Sequence, residues 1–265
     1  MEDVVEITNA NYFNPFSQMA YFGASQFKSF LDCEARTMAE LNGDWQQEPT
    51  KSMLIGSYID AAFSGESDEF VSQHQDEMFN KRTGELKADY RKAEEMLKRA
   101  HADEMFMRYM SGEPQKVMTG ELFGQPFKIK MDSYHPGKMI VDLKCMRDMK
   151  PIFKDGEWQT FIKAWGYDIQ MYIYQQIEAQ NSKTGKLLPC YLAVITKEEE
   201  PDLQIIELPQ YLLDGVAPVV EHYIKHFAQV KAGDVPPTRC ECCAYCRRTR
   251  QLVRPMKYED LLEVQ

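Results

Sequence analysis

Residues 132–144 read DSYHPGKMIVDLK, two alternating runs around a Pro-Gly pair. Pro136 presets φ at one central turn position and Gly137 tolerates the positive φ that can follow, so the segment predicts a β-hairpin. FKIKMDSY before the turn and KMIVDLKCM after it alternate as half-buried strands do. Side chains two apart on a strand share a face. Asp142 and Lys144 therefore point one way, while Val141, Leu143 and Cys145 point the other way into a core. On the earlier strand Lys128, Lys130 and Asp132 share a face, opposite Ile129 and Met131. If both apolar sets face the same core, Asp132 and Asp142 converge on the other surface. That requires an odd-numbered hairpin loop or a bulge, since a one-residue slip turns one carboxylate inward.

Outward from the hairpin, the spacing predicts helices over 24–42, 51–63 and 84–111, the last mostly solvated and ending at Gly112. Strands are expected at about 116–123, 126–134 and 138–146. A helix over 157–181, strands in LLPCYLAVITK and LQIIEL, and a helix over 209–231 follow. This order gives one α/β domain with a mixed central β-sheet flanked by helices. We assign 1–23 to an N-terminal segment, 24–250 to the domain and 251–265 to a tail.

The 265 residues are 44% hydrophobic and 27% charged, enough apolar material to bury a core. No apolar run is long enough to span a membrane, and the acidic start MEDVVEITNANYF lacks a signal-peptide layout, so the chain is expected to be cytoplasmic. A formal charge of −10 argues against a general polyanion-binding surface. The charge is uneven, however. Arg239, Arg247, Arg248, Arg250, Arg254 and Lys257 oppose a single acid, Glu241, and such a patch can hold nucleic acid locally. Four of the seven cysteines crowd into CECCAYC at 240–246, which in a cytosolic protein points to metal more than to disulfides.

Two carboxylates on neighbouring strands are hard oxygen donors of the kind Mg²⁺ takes. A metal there can lower the pKa of a water and stabilise charge developing on a phosphate. Lys144 can activate that water if its own pKa is lowered, or offset phosphate charge. Taken alone, the hairpin fits a salt-bridge lattice on a solvated face better. Gln170 and Tyr174 stack on one helix face, extended by Tyr167 and Lys163, a face suited to a phosphate and a sugar or base. Gly56 and Asp60 lie one helical turn apart, with Asp60 a further candidate ligand and Gly56 permitting close backbone approach. Glu121 is another candidate carboxylate. His222 and His226 read as surface or packing residues, and Cys145 and Cys190 as core. There is no GxxxxGK[ST] segment.

In that order, GSYID, KMD, DLK and the Gln170–Tyr174 pair resemble the PD-(D/E)XK nucleases, nearest to the RecE-like and RecB-like exonuclease branch of phages and prophages. The likeness covers roughly 22–250. It implies a restriction-endonuclease-like fold, with Asp132, Asp142 and the main-chain carbonyl of Leu143 holding Mg²⁺ or Mn²⁺. Lys144 would be the catalytic lysine, and Gln170, Tyr174 and Tyr167 would line DNA. One departure is Asp60, where relatives commonly place a histidine ligand. The resemblance further implies ATP-independent 5′ to 3′ digestion of linear double-stranded DNA ends in phage recombination. The 3′ single-stranded product would feed a single-strand annealing protein, and the enzyme would act as a homo-oligomer. Several branches hold a [4Fe–4S] cluster, which here would take Cys33, Cys240, Cys243 and Cys246, with Cys242 spare. Structural Zn²⁺ on the same thiolates, or a register using Cys242 for Cys243, stays open. Two rivals are a non-catalytic Cys₄-metal DNA-binding protein and a CRISPR-associated nuclease of the four-cysteine type.

Overall fold

In the computed structural model, which describes residues 6–252, 254–255 and 257–258, the chain is helical as far as Tyr109. The helices are α1 (Pro15–Ala20), α2 (Ala24–Asp32), α3 (Glu34–Leu41), α4 (Lys51–Ser64), α5 (Ser67–Gln73), α6 (Gln75–Met78), α7 (Ala88–His101) and α8 (Glu104–Tyr109). A meander of β1 (Glu113–Leu122), β2 (Gln125–His135) and β3 (Met139–Met146) comes next, then a small separate hairpin, β4 (Ile152–Lys154) and β5 (Glu157–Gln159). The chain continues through α9 (Phe161–Ala164), α10 (Tyr167–Asn181), β6 (Cys190–Thr196), β7 (Leu203–Leu208), α11 (Gln210–Asp214), α12 (Ala217–Ala232) and α13 (Ala244–Arg248). The main sheet runs β1-β2-β3-β6-β7. β3 and β6 are parallel and the other neighbours antiparallel, so the domain is α/β with a mixed five-stranded sheet flanked by helices. A parallel pair needs a crossover, and α10 supplies it. No described helix is long and apolar enough to cross a membrane.

Both faces of the sheet are covered. Phe27, Phe127, Ile129, Met131, Ile140, Ile173 and Phe227 belong to one core, and Ile59, Met96, Val141, Leu143, Ala193 and Ile195 to the other. The premise of a shared core for the hairpin therefore fails, since Ile129 and Met131 bury on one side of the sheet and Val141 and Leu143 on the other. The reason lies in β2. Its buried apolar residues are odd-numbered as far as Met131, but Tyr134 belongs to the same core. The switch falls at Asp132. The β1–β2 register is unbroken except for the Gln115–Asp132 pair, and Gln115 sits at φ 50, a backbone state that costs a non-glycine residue energy. The β2–β3 ladder, closed by the three-residue loop 136–138, also ends one step short, at Ser133–Val141. Asp132 is thus released from the ladder on both sides.

Several predicted helices are interrupted. The one expected over 24–42 breaks at Cys33, which is extended (φ −167°, ψ 105°) and caps α3 by accepting a hydrogen bond from the Arg36 amide. The one over 84–111 is two helices, largely exposed as expected, with one face of α7 (Tyr90, Ala93, Met96, Leu97 and Ala100) buried against the core. The helix expected from 157 is broken: Asp155 and Gly156 both take positive φ and turn β4 into β5, the short α9 follows, and the long helix α10 begins at Tyr167. The helix over 209–231 divides into α11 and α12. Most of the tail assigned to 251–265 lies outside the described residues.

Candidate active site

Three elements bring acids to the floor of one cleft of about 1300 Å³: α4 with Asp60, β2 with Asp132, and β3 with Asp142 and Lys144. Asp132, freed from the ladders, accepts the Leu143 amide on Oδ2 at 2.8 Å. Gln115 Nε2 donates to Asp60 Oδ1 at 3.1 Å and, weakly, to Asp132 Oδ1 at 3.5 Å, so one amide ties two carboxylates together. Asp142, 1% exposed, accepts from Gln170 Nε2 at 2.7 Å and pairs with Lys144 through its other oxygen.

The electrostatics are those of crowded anions. Burial pushes the Asp132 carboxyl well above the usual range, and Asp142 and Asp60 push it further. Asp60 is also raised by burial, with Lys130 opposing and Asp142 adding. Burial pulls the Lys144 ammonium down, but Asp142 and Asp132 more than offset that and leave it raised. Lys144 is therefore held as a cation, and the lowered pKa that a base would want is not found. Gln115 Oε1 is a buried acceptor with no hydrogen-bond partner. Converging carboxylates and a spare amide oxygen form a donor set that fits a hard divalent cation.

The polar helix face lies in the same cleft but is largely buried: Gln170 and Tyr174 are 6% and 7% exposed. Gln170 Nε2 reaches both Asp142 and the Tyr174 hydroxyl, the latter at 3.2 Å. The Tyr167 ring lies beside two cations, Lys144 Nζ at 4.7 Å from its centroid and Lys28 Nζ at 5.2 Å. Lys28, on α2, also donates to Gln170 Oε1 at 3.4 Å. Burial, with Lys144 nearby, brings its ammonium down to about 8. Gly166, at φ 61, admits this lysine, since a Cβ there would lie 2.9 Å from Lys28 Cδ. These groups hold Asp142 and Lys144 in place before they touch any ligand.

A second cluster lies where α2 meets α3. Cys33 Sγ is 3.6 Å from Cys246 and 3.9 Å from Cys243, and Cys240 is 3.9 Å from Cys246. All four sulfurs lie within 4.8 Å of one another, and Cys242 is exposed outside the set. Burial pushes Cys246 up to about 12, whereas for Cys240 the amides of Cys242 and Cys243 outweigh burial and bring the thiol down to about 6. Glu34 tightens the corner by accepting from the Thr238 amide at 2.8 Å and pairing with His226 at 2.9 Å.

A profile described as a PDDEXK-like domain of unknown function (DUF3799) matches residues 23–249. The chain belongs to this PDDEXK-like family. Among the solved structures that match is a crystal structure of a "Putative exonuclease" from Eubacterium rectale. It is 42% identical, with a TM-score of 0.92, over 97% of this chain and 98% of that one. No curated protein matches the sequence.

Within this PDDEXK-like domain the cleft gathers Asp60, Asp132, Asp142, Leu143, Lys144, Tyr167, Gln170 and Tyr174. Glu121 is not among them. It is exposed and pairs with Pro126, six residues or about 20 Å of strand from Asp132, and Gln115 occupies the position opposite Asp132 instead. Lys163 belongs to α9 and does not extend the α10 face; Lys28 takes that place. Gly56 lines the cleft, but a Cβ there would meet only Cys145 Cβ at 4.0 Å, so close approach does not require the glycine. Cys190 is buried, whereas Cys145 is half-buried and lines the cleft. Sequence reasoning missed Gln115 and Lys28. Neither lies in a recognisable motif, and each reaches the site only through a backbone feature, the kink in β1 and the turn at Gly166.

Proposed function

We propose that the cleft is the active site of a metal-dependent deoxyribonuclease, an ATP-independent 5′ to 3′ exonuclease on linear double-stranded DNA. The observation that carries this reading is the crowding of Asp60, Asp132 and Asp142 in one cleft beside Lys144, with the Asp60 and Asp132 carboxyl groups pushed toward protonation. Asp132, Asp142 and the Leu143 carbonyl would hold Mg²⁺ or Mn²⁺, with Asp60 approaching from α4. When bound, such a cation supplies charge stabilisation at the phosphate and a more acidic water. Lys144, kept as an ammonium between Asp142 and the Tyr167 ring, offsets the charge that grows on the phosphate as the ester bond breaks. Gln170 fixes the Asp142 carboxylate, and Gln115 spaces Asp60 from Asp132. Polarity, a 3′ single-stranded product passed to an annealing protein and a homo-oligomeric state are carried over from the resemblance. The name of the E. rectale protein supports the exonuclease class.

For the cysteine corner we favour a single tetrahedral ion over a [4Fe–4S] cluster. Zinc–thiolate bonds of about 2.3 Å place thiolates about 3.8 Å apart, close to the 3.6–3.9 Å of three of these sulfur pairs in a set spanning at most 4.8 Å. A cubane binds each thiolate to a different iron and so needs them farther apart. Metal analysis of anaerobically purified protein separates the two: one zinc and no visible absorption, or iron with sulfide and colour.

The functional reading is tested by digestion of linear and closed-circular duplex DNA in Mg²⁺ or Mn²⁺, beside Lys144→Ala and Asp132→Ala. Loss of linear DNA alone, abolished in both variants, is the expected result. DNA binding without any cleavage would place the protein among non-catalytic binders. Cutting of the circle would overturn the requirement for an end.

A further inference from the structure

The small β4–β5 hairpin touches the cleft only through Ile152, yet it displays the most exposed aromatic pair beside it. Phe153 and Trp158 are cross-strand partners, 60% and 72% exposed, packed edge to face with ring centroids 5.6 Å apart. Packed against each other, these rings brace the hairpin but leave most of their area to solvent, and large exposed apolar area marks a contact surface. The hairpin is also well fixed. Asp155 at φ 54 and Gly156 at φ 83 make the tight turn whose twist suits paired strands, and Lys154 Nζ ties β4 to the Ala164 carbonyl at 2.8 Å.

A groove of about 640 Å³ runs along this pair, lined by Arg147, Lys150, Pro151, Ile152, Phe153 and Trp158. Its lining has two cations and no carboxylate, although Asp148 pairs with Arg147 at 2.7 Å from outside. Arg147 and Ile152 also line the cleft, so the two spaces are neighbours. Arg147 follows Lys144 by three residues, about 10 Å of extended chain. We propose that this hairpin is a stacking platform for unpaired bases of the DNA strand passing through the cleft. The proposal rests on the nuclease reading and adds where single-stranded DNA is gripped. Aromatic faces hold bases in a sequence-tolerant way while neighbouring cations follow the phosphates. Bases in a duplex are stacked on each other and cannot offer their faces, so the occupant is single-stranded.

The test is fluorescence anisotropy without added divalent cation, using a short labelled oligothymidylate and a blunt duplex of similar length. Trp158→Ala and Phe153→Ala/Trp158→Ala are expected to weaken oligothymidylate binding about tenfold, while duplex binding changes less than twofold. Trp158→Phe restores most of the loss. The exposed rings are absent from both cores, so equal melting temperatures verify the fold. Unchanged oligothymidylate binding in a protein that still digests linear duplex overturns the platform and leaves the nuclease reading standing. A wild-type protein that neither cuts nor binds DNA overturns both. A change of oligomeric state in Trp158→Ala, seen by sedimentation, overturns the platform in favour of an interface between copies.

Discussion

The acid cluster and the cysteine corner both assemble side chains from distant parts of the chain, and they have opposite energetic signs. Around Asp132, like charges are pressed together away from water, and the fold must force protons onto them or recruit a cation. Around Cys33, soft ligands sit on a hinge between helices, and a bound ion adds to the stability of whatever the hinge holds. One region opposes folding, as the proposed chemistry requires. The other stabilises the wall against which that chemistry occurs.

Asp132→Asn breaks the contrast most sharply. Cleavage should fall roughly 10²- to 10³-fold, the scale on which removal of transition-state charge stabilisation is felt. The metal-free protein should nevertheless gain stability above neutral pH. The folded carboxyl has a raised pKa, so its contribution is fully present below the unfolded value of about 4 and is lost as pH rises through the folded one. Melting temperature against pH should therefore decline less steeply in the variant, and Mg²⁺ should flatten the wild-type profile in the same direction. A variant less stable than wild type at every pH would show that the carboxylate is structural. Gln170→Ala comes next, with an expected loss of about 10- to 100-fold in cleavage rate through misplacement of Asp142, as for other groups that orient metal ligands. Cys33→Ser should release the bound ion and lower the melting point by about 5–10 °C, at roughly 2–4 °C per kcal/mol. Activity measured well below that melting point should fall only about fivefold, the mark of a support and not of a reacting group. Glu121→Gln should leave cleavage and melting unchanged, a digestion time course being enough to show it.

Much of the site was legible because its grammar is local. Alternation about Pro136 and Gly137 put Asp142 and Lys144 on one face, helical spacing paired Gln170 with Tyr174, and three cysteines announced themselves by spacing. Asp132 meets Asp142 as expected, though not for the reason expected: a switch of face in β2, invisible to a period-two pattern, lets the strands serve different cores. Gln115 was beyond reach for the same reason, since nothing in PQKVM marks a positive φ. The Asp155-Gly156 turn was readable, but the helical run from Phe161 onward masked it. Cys33 looked like one position in a continuous helix because a cysteine can cap a helix with its sulfur, which propensities do not record.

The hinge at Cys33 also sets an order of assembly. Its sulfur partner Cys246 lies 213 positions further along, so a growing chain completes almost all of its sheet before this corner can close. Until then α2, which carries Lys28, has no clamp at its end. Nascent protein would thus hold its acids in place while one wall of the cleft stays loose until Cys246 has been made.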